Sequence, residues 1–138
     1  MLKYTSKELD LMARLMRAEA LSDGDLAMLM VGNVIVNRAL VSCDLFKNIR
    51  TITQVINQNP GGFVGTSSGL FYGGSTTKEK NLAKRCLRGE YFYPATNALW
   101  FNARSTCSST WFNQPFAGKY KSHCFYNPQK GLCPEILP

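Results

Sequence analysis

A chain of 138 residues has the length of one domain and is enough for a single packed core. Its content, 45% hydrophobic and 18% charged, is that of an ordinary globular protein, and no 18-residue stretch runs free of polar interruption, which excludes a membrane-spanning helix. The net charge of +7, from 16 basic and 9 acidic residues, favours an anionic partner such as nucleic acid, an anionic membrane surface or acidic wall polymer.

The first residues, Met1 to Glu8, lack the apolar core of a signal peptide, so the expectation is a protein made and used without standard secretion. Thr5-x-x-Glu8 is a capping box that opens a helix predicted over residues 6–20, with Leu9, Met12, Leu15 and Met16 at helical spacing. Glu19 stands where this pattern ends and the polar turn Ser22-Asp23-Gly24-Asp25 begins. A carboxylate at a helix end, walled by apolar residues, is a setting that raises the pKa of an acid. Asp23 or Asp25 caps a second helix running to about Leu40, apolar on nearly all sides and therefore expected at the centre of the core. It carries Asn33 and Asn37 on one face with Arg38 beside them, and buried groups of this kind must find partners. Capping of nearby loops is the plain reading, and scaffolding of the first helix's end the functional one.

Thr51 is placed to cap a short helix, Ile52 to Asn57. The stretch from Asn59 to Thr77 holds most of the chain's 11 glycines, with Phe63, Leu70, Phe71 and Tyr72 between them. Such backbone suits a mobile loop or a groove wall that a ligand approaches closely, and it lacks the spacing of a phosphate loop. A second capping box, Thr76-x-x-Glu79, opens a helix that Gly89 ends. Its basic residues, Lys78, Lys80, Lys84, Arg85 and Arg88, read as a solvated face. Beyond Pro94, Ala98–Phe101 and Ser122–Tyr126 are short aromatic runs with strand propensity, predicted to pair as a small hairpin or sheet, with a turn-rich stretch around Trp111, Phe112 and Pro115 between them. The tail after Asn127 contains three prolines and is expected to be extended. No internal repeat or domain boundary appears, so residues 1–138 form one domain.

Five cysteines, with no C-x-x-C pair and a single histidine, His123, do not make a zinc site, and no metal or cofactor is expected. The odd count leaves at least one thiol free or shared between chains. Three of the five lie in the last 32 residues, where a disulfide is expected. Cys124 and His123 are strand neighbours facing opposite ways, which argues against a catalytic dyad, and no Ser-His-Asp arrangement is suggested. Among nine carboxylates, Glu19 is the one embedded in an apolar pattern on both sides. Ordinary glycoside hydrolysis takes two carboxylates. A muramic-acid sugar needs only one, because its own C6 hydroxyl can attack the anomeric carbon while one Glu first donates and then accepts the proton.

Arg17-Ala18-Glu19-Ala20, followed by Met30-Val31-Gly32-Asn33-Val34-Ile35-Val36-Asn37-Arg38, resembles the signature of the SleB/CwlJ family of bacterial cell-wall hydrolases. Pro94-Ala95-Thr96-Asn97-Ala98-Leu99-Trp100-Phe101 and His123-Cys124-Phe125-Tyr126 are similar to its C-terminal half, and Trp111-Phe112-Asn113-Gln114-Pro115-Phe116 resembles its CwlJ branch. The resemblance covers essentially the whole chain. It implies a lysozyme-like α+β catalytic domain, mainly helical with a small antiparallel sheet or hairpin in the C-terminal half. It also implies cleavage of spore-cortex peptidoglycan during germination, with Glu19 as general acid/base. Family members of this branch are made in the mother cell and held at the spore coat or outer cortex boundary, with a coat protein as partner and calcium dipicolinate as trigger. The family usually continues its motif with Gly-Glu where Leu21-Ser22-Asp23 stands here, which makes Asp23 a candidate second acid, one methylene shorter.

Phe71, Tyr72, Trp100 and Tyr126 are the aromatic residues expected to stack on sugar rings, and Asn33, Asn37, Arg38 and His123 are expected to scaffold the site. Two other classes compete. One is a non-catalytic coat or wall-binding protein, motivated by the departure at Asp23 and the cysteine excess. The other is a basic nucleic-acid binder, motivated by charge alone and supported by no motif, so nucleic acid is not expected as a partner.

Overall fold

The computed structural model describes residues 2–58 and 62–136, so Asn59, Pro60 and Gly61 of the glycine-rich stretch and the last two residues of the tail lie outside the described residues. Helix α1, Ser6–Ala20, starts on the expected capping box, with the Glu8 backbone N–H donating to Thr5 Oγ1 and the Thr5 N–H to Glu8 Oε1, both at 3.1 Å. It buries Leu9, Met12, Leu15 and Met16. Helix α2, Asp25–Leu40, is buried without interruption from Ala27 to Ala39, as an all-round apolar helix must be. Helix α3, Ile52–Ile56, and helix α4, Thr77–Leu87, also open on capping boxes, and α1, α2 and α4 pack against one another. At Gly32, α2 packs closely on Cys86 of α4. A Cβ there would lie 2.6 Å from the Cys86 sulfur.

The C-terminal half is a four-stranded antiparallel sheet of β1 (Trp100–Ala103), β2 (Thr110–Trp111), β3 (Gln114–Tyr120) and β4 (His123–Tyr126), in the order β1-β4-β3-β2. Trp100 pairs with Tyr126 and Ala103 with His123, so the two predicted aromatic runs meet as neighbours. The stretch between them is not only turn. It forms the β2–β3 hairpin, whose tip Phe112-Asn113 takes positive φ at both residues. Pro115 and Gly118 hide β3 in the sequence. Pro115 lies where β3 pairs only with the two-residue β2, and Gly118 sits at a register shift where a Cβ would come within 2.5 Å of Pro94.

The three polar residues of α2 organise the chain entering β1. Asn33 donates to Glu90 O at 2.8 Å and accepts from the Phe92 N–H at 2.9 Å. Asn37 donates to Thr96 O at 3.2 Å and Ala98 O at 3.0 Å, and Arg38 Nε to Leu99 O at 2.7 Å. Asn33 and Asn37 thus hold residues 90–98 and not the end of α1, whereas Arg38 also reaches Gln58 Oε1 at 3.4 Å and is attracted by Glu19. The tail turns back instead of extending, tied by the Cys43–Cys133 disulfide into a second small core with Val41, Phe46 and Leu99. The expected C-terminal disulfide is Cys107–Cys124, and Cys86 is the free thiol.

Candidate active site

Glu19 occupies the last turn of α1, and the chain leaves that turn through a 3₁₀ segment, Leu21–Asp23, and a left-handed Gly24. Its carboxylate lies against Gly65, where a Cβ would sit 2.8 Å from Oε1, and the Gly65 N–H donates to it. The loop carrying Gly65 is gathered by Arg17, two residues before Glu19. The Arg17 guanidinium donates to Leu70 O at 2.8 Å, Gly73 O at 3.0 Å and Gly74 O at 3.1 Å, and pairs with Glu79 at 3.0 Å. Five N–H donors in a planar fork make arginine suited to collecting several carbonyls at once. Arg17 and Glu19 of one motif therefore position the same glycine-rich segment from two sides.

Glu19 opens onto a cleft of about 650 Å³, walled by Phe63 and Val64, by the sheet residues Trp100, Phe101 and Trp111, and by Phe112 of the hairpin tip. Arg38, Arg104, Asn102 and His123 are its polar members, and Glu19 is the one carboxylate among the described lining residues. Burial pushes the Glu19 pKa up, opposed by the Gly65 N–H and by the charges of His123 and Arg38. Arg38, 4% exposed, is pushed down to about 10 by burial, against the attraction of Glu19. Its guanidinium lies over the Phe63 ring at 4.5 Å from the centroid.

His123, at the start of β4, is almost fully buried and contacts the end of α1 with its Nε2 2.9 Å from the Glu19 carbonyl oxygen. Its Nδ1 is 2.9 Å from Asp23 Oδ2. Its two ring nitrogens thus join Asp23 to the Glu19 main chain. The Ser122 N–H and hydroxyl also donate to the Asp23 carboxylate, and these bonds hold the Asp23 pKa down. Ser122, His123 and Asp23 do come together, contrary to the sequence expectation. They are not a nucleophilic triad, because Ser122 and Asp23 share the Nδ1 side and Nε2 is occupied by a main-chain carbonyl.

Of the four aromatic residues expected to stack on sugar, Trp100 lines the cleft. Tyr126 is fully buried, with its hydroxyl donating to Ser108 O at 3.0 Å and its ring against Trp111 and Phe116, so it presents no face to a ligand. Phe71 packs under the Arg14 guanidinium, and Tyr72 is 65% exposed beside it; neither is among the cleft residues. Asp23 also stands outside the lining. Asn33 and Asn37 act on the loop before β1, whereas Arg38 reaches the cleft itself. Sequence reading passed over Gly65, Phe63, Phe101, Arg104 and Phe112.

A family model described as Cell Wall Hydrolase matches residues 22–126. The chain belongs to this family. Two relatives named cell wall hydrolase CwlJ are similar along nearly their whole length. The protein from Oceanobacillus iheyensis is 49% identical over 136 residues, covering 98% of this chain and 96% of its own. That from Bacillus subtilis is 44% identical over 135 residues, covering 97% and 94%. Among solved structures, the catalytic domain of Bacillus cereus SleB superposes with a TM-score of 0.72 at 25% identity, covering 91% of this chain and 93% of that one. The catalytic domain of the germination-specific lytic transglycosylase SleB from Bacillus anthracis gives 0.71 at 25% identity, covering 90% and 97%. The molecule is thus a cell wall hydrolase of the α+β, lysozyme-like class, and the likeness to the CwlJ branch is borne out. The matched family span begins three residues after Glu19, so the assignment of that residue rests on its motif and its geometry.

Proposed function

We propose that this protein cleaves the glycan strands of spore-cortex peptidoglycan as a lytic transglycosylase, with Glu19 as the single general acid and base. The observation that carries this reading is the solitary carboxylate of the cleft: a half-buried acid with a raised pKa, and no second carboxylate among the described lining residues. Protonated Glu19 donates to the leaving glycosidic oxygen, and the C1–O bond breaks. The C6 hydroxyl of the same muramic residue attacks C1, and its proton returns to Glu19. One strand leaves with a free hydroxyl, the other with a 1,6-anhydro end, and no water is consumed. The buried charge of Arg38 stabilises the carboxylate between the two transfers. Apolar walls that include Trp100, Trp111 and Phe112 suit the faces of pyranose rings. The net charge of +7 suits an anionic wall polymer. The place of action proposed is the coat–cortex boundary of the spore, with a coat protein as partner.

The test is a digest of purified cortex by wild type and Glu19→Gln, with products read by mass spectrometry. Anhydromuramic ends from wild type, and a rate about 10²- to 10⁴-fold lower for the variant, are expected. Reducing muramic ends would replace transglycosylation by hydrolysis. A fully active Glu19→Gln would remove Glu19 as the acid.

A further inference from the structure

Asp23 is the candidate second acid of the sequence, and its surroundings assign it a different task. One hairpin, β3–β4, closes on it. The turn between β3 and β4 supplies the Ser122 N–H at 3.1 Å and the Ser122 hydroxyl, both donating to Oδ2. Lys121, held at φ 50°, donates through Nζ to the Asp23 carbonyl at 3.0 Å. His123 brings Nδ1 to Oδ2 at 2.9 Å and Nε2 to the Glu19 carbonyl at 2.9 Å. All these contacts join residues about a hundred positions apart in sequence, and all lie within five residues of the C-terminal turn of α1.

We propose that Asp23 is a positioning residue that orients the His123 ring, so that the ring fixes the Glu19 main chain at the cleft, and that Asp23 is not a second acid. This rests on the reading of Glu19 as the acid. A carboxylate receiving three hydrogen bonds from one hairpin is stabilised in its ionised form and is poorly disposed to donate or accept a proton in catalysis. The Asp23 side chain reaches His123, whose side chain is 4% exposed and packs against the Phe101 and Phe125 rings. It has an electrostatic consequence. The charged groups facing Glu19 are His123 from β4 and Arg38 from α2, with the Gly65 N–H from the loop. The His123 charge is one of the groups that oppose the rise of the Glu19 pKa, and Asp23 holds that ring in place, so removing Asp23 moves the Glu19 titration upward.

The experiment compares wild type, Glu19→Gln, Asp23→Asn, Asp23→Ala and His123→Gln on purified cortex across pH, with thermal melts and with the Glu19 carboxyl titration followed by ¹³C NMR. Asp23→Ala is expected to lower kcat by about 10- to 100-fold, the cost of a misplaced catalytic group, with KM unchanged and the Glu19 titration shifted up. Asp23→Asn keeps an acceptor for Nδ1 and is expected to lose less. His123→Gln keeps a donor for the Glu19 carbonyl but no charge, and is expected to shift the titration as Asp23→Ala does. A folded Asp23→Asn as silent as Glu19→Gln would make Asp23 an acid and overturn the proposal. So would an Asp23→Ala whose losses follow its melting temperature while the Glu19 titration stays put. If Glu19→Gln itself remains active, it is the catalytic reading that fails, and the ¹³C titration still reports whether Asp23 and His123 are coupled to Glu19.

Discussion

Cys86 lies between α4 and α2 as a buried free thiol, whereas the other four cysteines are paired outside that helical core. The helical half buries long aliphatic faces, and its thiol, pushed up to about 12 by burial, stays inert. In the sheet half, β2 and most of β3 are exposed or half-exposed, so little apolar area holds them. There the fold depends on Cys107–Cys124 across β4, and on Cys43–Cys133 fastening the tail beside β1. The lesson is that Glu19, Arg38, Phe63 and Val64 come to the cleft from the helical half, and Trp100, Phe101, Trp111 and Phe112 from the stapled half.

The largest effect should come from the staples. Loop-entropy estimates give about 4.6 kcal/mol for the disulfide of sequence separation 90 and about 3 kcal/mol for that of separation 17. The chain's two tryptophans, Trp100 and Trp111, both report on the sheet half. Under reductant, tryptophan emission should therefore change at lower denaturant than far-UV circular dichroism. Coincident transitions would break the comparison by making the two halves one cooperative unit.

Next is Gly65→Ala, which places a methyl against the Glu19 carboxylate. We expect about a 100-fold loss of kcat with little change in melting temperature. A similar loss in stability would mean that Gly65 serves the fold and not the site. Inside the helical half, Gly32→Ala sets two effects against each other. Helix propensity favours alanine by up to about 1 kcal/mol, and overpacking against Cys86 costs about 1–3 kcal/mol. Net destabilisation is expected, recovered in part by adding Cys86→Ala, and a double-mutant cycle in denaturant measures the coupling.

The smallest effect sharpens the contrast between the two acids of the α1 terminus. The Glu19 pKa is raised in the folded state, so its contribution favours folding in acid and is lost as pH rises through the folded value. The Asp23 pKa is lowered, so its contribution is present above the ordinary carboxylate range and is lost as pH falls through the folded value. Glu19→Gln should therefore melt higher than wild type at neutral pH and equally in acid. Asp23→Asn should melt lower at neutral pH, with the deficit closing in acid. Melting curves at several pH values decide both.

The helices were legible because their signals are local. Capping boxes at Thr5 and Thr76, the cap at Thr51 and the unbroken apolar run of α2 name their own boundaries. The pairing of β1 with β4 was visible from aromatic runs. The strand β3 was not, because its proline and glycine are tolerated only by a thinly paired neighbour and a bulge, which exist in the sheet and not in the segment. At the site, Glu19 was readable from its motif and its apolar flanks. Tyr126 was misjudged because alternation along a strand does not say which faces are covered, and in β4 both are.

The sequence by itself determined one basic domain, its helical frame, and a lone acid at the end of α1, since each follows from neighbours within a few turns. Only the tertiary structure decided that Arg17 gathers the glycine loop onto Glu19, that Arg38 enters the cleft while Asn37 does not, and that Asp23 is engaged by the β3–β4 turn. Those partners lie 50 to 100 residues away, and no local pattern encodes them. They are fixed by the burial of polar groups that must each find a hydrogen bond once the helices and the sheet have closed around them.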